Sequence, residues 1–302
     1  MKESIFLNKI IKTLTKTDYI GDDCAYIKDL GIVLTQDTLV EDIHFSLAYT
    51  DAYKLGYKSV IVNISDILAS GADPKYISIS LSLPKNINTK FIEDFYRAVE
   101  DLSNKFKFTV TGGDITGSEK IVVSICAIGT TKERNISSRK NAKAGDIVIV
   151  NGEHGASAFG LEQLKSGLKD SPYIKQHLMP QIDDKLSSQI AQKIRRYAMM
   201  DSSDGIADAL FKIATNSNVT IKVDYKKIPH DENINKDLVL YGGEDYKLVA
   251  TISKDDINNI SPQLYTIIGE VTEKQDTPLI IEDGENKMHI KNLDKTFNHF
   301  GD

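Results

Sequence analysis

The stretch YKSVIVNISDILASGADPKYISISLSLP, residues 57–84, changes its period halfway. In the first half Val60, Ile61, Ile64 and Leu68 recur at helical spacing, part of a pattern that predicts a buried helix from about Ala52 to Ser70. Asn63, Asp66 and Ser70 fall at i, i+3 and i+7, one polar stripe on an otherwise apolar helix. A carboxylate in such surroundings needs a partner. In the second half Ile77, Ile79, Leu81 and Leu83 alternate with serines, which predicts a strand ended by Pro84. A mixed α and β protein follows from this alternation of elements.

The same reading extends outward. Phe91, Phe95, Ala98, Val99 and Leu102 predict a second helix. Upstream, GIVLTQD (31–37) reads as a strand over Ile32 to Leu34 that ends in a polar turn carrying Asp37. Downstream, one strand leads into TGGDITG (111–117), and IVVSICAIG from 121 returns as another. Residues 131–145, TKERNISSRKNAKAG, are polar and aperiodic, and divide an N-terminal domain 1–133 from a C-terminal domain 134–302. Beyond them DIVIV is a strand, and GEHGASAFGLEQL is a glycine-rich entry into a helix. A long helical region reaches about Tyr197, and MMDSSDG (199–205) opens a helix with Ile206, Leu210, Ile213 and Ala214 on its apolar face. VTIKV, YKLVATI and YTIIGEV predict further strands. GGD at 112 and GGED at 242 echo one another, which suggests two related halves.

Composition limits the function. A chain of 302 residues suits two domains of about 150 residues each. Its net charge of −6, with no basic run, argues against a nucleic-acid partner. The apolar residues of MKESIFLNKIIKTLTK are too few and too interrupted for a signal peptide or membrane span, so a cytoplasmic protein without membrane contact is expected. Cys24 and Cys126 lack metal-site spacing and read as free thiols.

Acidic clusters stand out: GDD at 21, TQD at 35, SD at 65, GGD at 112 and DSSD at 201. Carboxylates brought within about 4–5 Å repel by roughly 3–4 kcal/mol per pair at an effective dielectric of 20. Such a set is either solvated and unrelated or neutralised by cations, and hard oxygen ligands imply Mg²⁺ or Ca²⁺. Each cluster alone also reads as a turn, and Ser203 or Asp204 as the cap of the following helix. The P-loop, GxGxxG and protein-kinase motifs are absent from the sequence. Any phosphate must therefore be met mainly by metal ions and helix N-termini, an arrangement that suits phosphoryl transfer.

In order, GDDCAYI, TQDTLVEDIHF, YKSVIVNISDILASGADPKY, TVTGGDITG, DSSDGIADAL and GGEDYKLVAT resemble the thiamine-monophosphate kinase family, over nearly the whole chain from about residue 20. The resemblance implies an α+β, two-domain architecture. Its N-terminal four-stranded sheet would close a barrel across a homodimer, beside a C-terminal α/β domain. It implies transfer of the γ-phosphoryl of ATP directly to thiamine monophosphate, with several Mg²⁺ ions. Asp23, Thr35, Gln36, Asp37, Asp66, Asp114, Asp201 and Asp204 match metal-site positions, with Asp37, Asp66 and Asp204 as the catalytic ones. Gly113, Asp114, Arg139, Ser203 and Tyr96 match nucleotide contacts, and His44, Glu244 and Phe297 match contacts to the thiamine moiety. Gln36 stands where the family usually has a small hydroxyl residue, and Asp42 where a glycine is common. Two other readings are open: a different enzyme of the same superfamily, or a nucleotide- or cation-binding module without turnover. Cys24 does not fit the reactive cysteine of selenophosphate synthetase, and the ending HFGD lacks the C-terminal cysteine of the hydrogenase-maturation enzyme.

Overall fold

The computed structural model describes residues 10–297, and every structural statement below concerns these residues. A first mixed sheet runs in the order β1-β2-β5-β3-β4. Its strands are β1 (Ala25–Ile27), β2 (Ile32–Val40), β3 (Asp73–Leu83), β4 (Thr109–Gly117) and β5 (Val122–Thr130). The sheet has five strands where four were expected: four are long, and β1 adds three residues at one edge. Two helices, α1 (Ala52–Ala69) and α2 (Thr89–Phe106), bury one face of this sheet.

The period change at 57–84 lies where the sequence put it. Asp51 starts α1 by accepting the Lys54 N–H at 2.9 Å. In β3, Ile77, Ile79, Leu81 and Leu83 are buried against the helices, and the serines face the other way. That other face is open, and β4 is exposed along its whole length.

The second mixed sheet runs β12-β11-β8-β10-β6-β9-β7. It is built from β6 (Asp146–Val150), β7 (Tyr197–Asp201), β8 (Thr220–Asp224), β9 (Leu248–Ser253), β10 (Thr266–Thr272), β11 (Leu279–Asp283) and β12 (Asn286–Ile290). Helices α3 (Ala156–Lys165), α4 (Pro172–Leu178), α5 (Lys185–Lys193), α6 (Ile206–Ser217) and α7 (Lys236–Tyr241) accompany it. Apolar clusters pack on both faces, so β6 and β7 are buried throughout. Ala69, the last residue of α1, lies in one of these clusters with Ile149, Ile190 and Tyr197. Helix α1 is thus part of the first sheet's core and of one of the second sheet's two clusters.

Several expectations need correction. Asp37 is not on a turn: β2 continues through it to Val40, paired along its length with β5. TGGDITG is likewise interior to β4, whereas GGED lies in a loop, so the two motifs are not structural equivalents. The long helical region expected before Tyr197 is three short helices, α3 to α5, because Ser171–Pro172 starts a new helix and Pro180 follows its end. Met199 to Asp201 end a strand, and helix α6 begins from Gly205 without any side-chain cap. Neither Ser203 nor Asp204 caps it. Asp42 has a left-handed backbone, φ 65°, a conformation that glycine adopts without strain. No helix is long and apolar enough to cross a membrane.

Helices α1 and α2 meet at Gly56, where an added Cβ would lie 2.4 Å from the Phe95 carbonyl oxygen. Alanine favours a helix interior over glycine by up to about 1 kcal/mol. Here Gly56→Ala is expected to lower stability by about 1–3 kcal/mol, because a packed interior resists added volume. Equilibrium urea unfolding reads the sign.

Candidate active site

Asp66 projects from α1 and meets Asp23, from the segment before β1, and Asp201, from the end of β7. Carboxylate oxygens of the three lie within 4.8 Å of one another. Asp201 is 2% exposed, and the Asp23 side chain 6%. The residues around them are mostly hydroxyl donors. Thr35 Oγ1 donates to Asp66 at 2.6 Å, Ser65 Oγ donates to Asp201 Oδ2 at 2.6 Å, and Ser203 Oγ donates to Asp201 Oδ1 at 3.0 Å. The Ser65 bond joins the first domain's helix to the second domain's strand.

Burial dominates the electrostatics. It pushes Asp66 well above the usual carboxylate range, with further increments from the charges of Asp37, Asp201 and Asp23. Burial and the Asp23 charge raise Asp201 to about 7, against the two serine hydrogen bonds. Asp23 is raised by burial despite the Arg139 guanidinium, whose Nη2 is 2.8 Å from Asp23 Oδ1. Its neighbour Asp22 instead accepts the Arg139 backbone N–H at 2.7 Å and fixes the 138–139 loop. The GDD pair thus separates into one cluster carboxylate and one loop anchor. Cys24 is 4% exposed beside this cluster, and burial holds its thiol well above the usual range, so it is protonated and unreactive.

The remaining candidates divide by face and by side of the cleft. Asp37, two residues from Thr35 on the same face of β2, takes its backbone N–H to Asn63 Oδ1 of α1 at 3.2 Å, and its charge acts on Asp66. Gln36 points to the open face, where Nε2 donates to Ser124 Oγ at 3.4 Å, so its side chain turns away from the carboxylates. Asp114 pairs in register with Ser80 and shares that open face. Three strand spacings, roughly 14 Å, separate it from Asp37. Its neighbour Gly113 admits no side chain, since a Cβ would overlap the Ile79 carbonyl oxygen. Tyr96 packs edge-on against Phe95, 5.5 Å between ring centres, and touches none of the carboxylates. Asp204 faces Lys212 at 3.3 Å rather than the three buried aspartates.

A second constellation gathers around Glu244. Lys58 Nζ lies 2.6 Å from Oε1, and His177 Nδ1 lies 3.4 Å from Oε2. Burial opposes the ionised form of Glu244, yet Lys58, His177 and His44 together hold it below the usual range. Burial pushes His177 down to about 4, so it is neutral at pH 7. His44 Nδ1 accepts the Val40 N–H at 3.0 Å, which leaves Nε2 as the protonated nitrogen. Glu244 is held by a left-handed backbone, φ 67°, and its N–H donates to the Ser203 carbonyl at 2.7 Å. Phe297 is 58% exposed where the described chain ends, so it is not a core residue. Sequence reasoning missed Lys58, Ser65, His177 and Lys212. Lys58, 3% exposed within the apolar run of α1, carries the same signal that marked Asp66. His177, on a short helix, carries no signal at all.

Two family models match the chain: the N-terminal domain of AIR synthase related protein over residues 21–131, and its C-terminal domain over residues 143–282. The thiamine-monophosphate kinase of Bacillus subtilis (strain 168) is 32% identical over 305 residues, covering 93% of each chain. The solved thiamine monophosphate kinase of Aquifex aeolicus superposes with a TM-score of 0.82 at 31% identity, covering 93% of this chain and 96% of that one. A structure described as AaThiL complexed with AMPPCP and TMP gives a TM-score of 0.86 at 30% identity, covering 99% of both. With two sheets sharing one helix, a cross-domain carboxylate cluster and these likenesses over nearly its full length, the chain belongs to the thiamine-monophosphate kinase family.

Proposed function

We propose that the chain transfers the γ-phosphoryl of ATP in line to the phosphate of thiamine monophosphate, giving ADP and thiamine diphosphate. The observation that carries this reading is the convergence of Asp23, Asp66 and Asp201 from both domains into one buried cluster. An all-oxygen donor set, costly to ionise while empty, fits a hard divalent cation. Mg²⁺ ions bound there would neutralise the phosphate oxygens and bring two anionic substrates together. Asp23, Asp37, Asp66 and Asp201 would hold them, with Asp204 at the cleft end. Thr35, Ser65 and Ser203 orient these carboxylates through the hydroxyl contacts already described.

The acceptor oxygen belongs to a phosphate that is already ionised, so the chain need supply no general base. A bond forms from that oxygen to the γ-phosphorus as the bond from γ-phosphorus to the bridging oxygen breaks, and ADP carries the charge away. Arg139 and Ser203 serve the nucleotide side, and Glu244 with His44 the thiamine side. Phe297 is assigned to the same side by resemblance, and Tyr96 to the nucleotide. The domain division at 133/134 separates the two carboxylate-bearing halves of the site.

A homodimer is part of this reading. The first sheet leaves one face open and its edge strand β4 uncovered, with Ile115 57% exposed. An edge of that kind favours pairing with a second chain. Asp114 and Gly113, remote from their own chain's cluster, would then serve the site of the partner subunit.

Incubation with ATP, Mg²⁺ and thiamine monophosphate should yield thiamine diphosphate on chromatography; its absence overturns the reading. Asp66→Asn and Asp204→Asn should each lower kcat by about 10²-fold or more with an unchanged circular dichroism spectrum. A fully active Asp204→Asn removes that residue from the metal site.

A pH dependence also follows. Asp201, at about 7 in the fold against 3.8 unfolded, favours folding when protonated. Its contribution is present below pH 4 and lost as pH rises towards 7. Mg²⁺ competes with those protons, so the increase in Tm caused by added Mg²⁺ should be larger at pH 8 than at pH 5. Equal increments at both would place the ion elsewhere.

A further inference from the structure

Lys212 stands on α6 between two carboxylates of unequal setting. Its Nζ is 2.6 Å from Asp208 Oδ2, one turn earlier on the helix, and 3.3 Å from Asp204 Oδ2, in the loop before it. Asp208 is 4% exposed, whereas the Asp204 side chain is 43% exposed. The ammonium is therefore anchored at its buried partner and turned outward at the other. Its charge also reaches Asp23 and is felt by Arg139, which makes it the second protein cation beside the carboxylate cluster.

The contrast with the other aspartates gives the contact meaning. Asp66 and Asp201 are met by the hydroxyls of Thr35, Ser65 and Ser203, and are left without a lysine or arginine. Asp204, by contrast, already carries a lysine. A divalent cation arriving at Asp204 competes with that ammonium, since two cations on one carboxylate repel each other. The displaced group stays tethered by Asp208, has three donors, and lies within side-chain reach of the cleft.

We propose that Lys212 is a movable counter-ion of the nucleotide side. With the cleft empty it neutralises Asp204; with a divalent cation on Asp204 it turns to an anionic oxygen of the bound triphosphate. Asp208 is the positioning residue that keeps it there. This rests on the reading of Asp204 as a cation ligand and of ATP as the phosphoryl donor.

The two roles change binding in opposite directions, which isothermal titration can read without turnover. The titrants are Mg²⁺ alone, and the β,γ-methylene analogue of ATP at saturating Mg²⁺. Lys212→Met should bind Mg²⁺ alone roughly three- to tenfold more tightly, and the analogue about tenfold more weakly. Lys212→Arg should recover much of the analogue binding. Because Lys212→Met leaves Asp208 buried without its partner, Lys212→Met/Asp208→Asn removes both charges and should show the same opposed changes in a well-folded protein. Unchanged affinities for both titrants, or losses in both, overturn the counter-ion role while leaving the kinase reading standing. A wild-type chain that binds neither titrant overturns both.

Discussion

Three carboxylates within 4.8 Å of one another, mostly shut off from water, are the constraint from which the remaining structure takes its form. Charged groups at that separation repel by a few kcal/mol per pair even at an effective dielectric of 20. The fold lowers this cost by raising the proton affinities of Asp66, Asp201 and Asp23, by hydroxyl donors, and by one guanidinium on Asp23. What it does not do is separate them. The first sheet's core and one cluster of the second sheet meet at α1, so the carboxylate of Asp66 is held where the second sheet delivers Asp201.

The same helix joins the two ends of the site. Lys58 and Asp66 lie eight residues apart on α1, about 12 Å along its axis. Lys58 grips Glu244, and Asp66 faces Asp201. The loop that carries Glu244 is fastened to the Ser203 carbonyl, and left-handed backbone at both Glu244 and Tyr246 holds it in an unusual course. A substrate spanning from Glu244 to the carboxylates would therefore be measured by a rigid helix on one side and a strained loop on the other. The distance between Glu244 and the carboxylates is thus set largely by the course of the backbone.

Much of this was legible in the sequence where a local rule coincided with the tertiary demand. The helix over Ala52–Ala69 and the alternation of Ile77 to Leu83 were readable because each buries one face against a single layer. Reading failed where a polar residue lay inside a strand. Asp37 and Asp114 suggested turns, yet one sits where β2 passes over α1 and the other on an open face that tolerates charge. Met199–Met200–Asp201 looked like the approach to a helix because a strand buried on both faces has no alternation to reveal it. Gln36 illustrates the period-2 rule: one residue from Thr35 and one from Asp37, it faces the opposite side.

The sequence by itself determined which residue types could make the site and, through ordered motifs, the family. It marked Asp66 as needing a partner, because a carboxylate on an apolar helix face is costly wherever the chain goes. Only the tertiary structure decided which partners those are. Spacing along a chain fixes distances within one element, whereas Asp23, Asp66 and Asp201 stand on three segments whose approach depends on how both sheets pack around α1. That packing separated Asp22 from Asp23, turned Gln36 and Asp114 to the open face, gave Asp204 to Lys212, and brought Lys58 and His177 to Glu244.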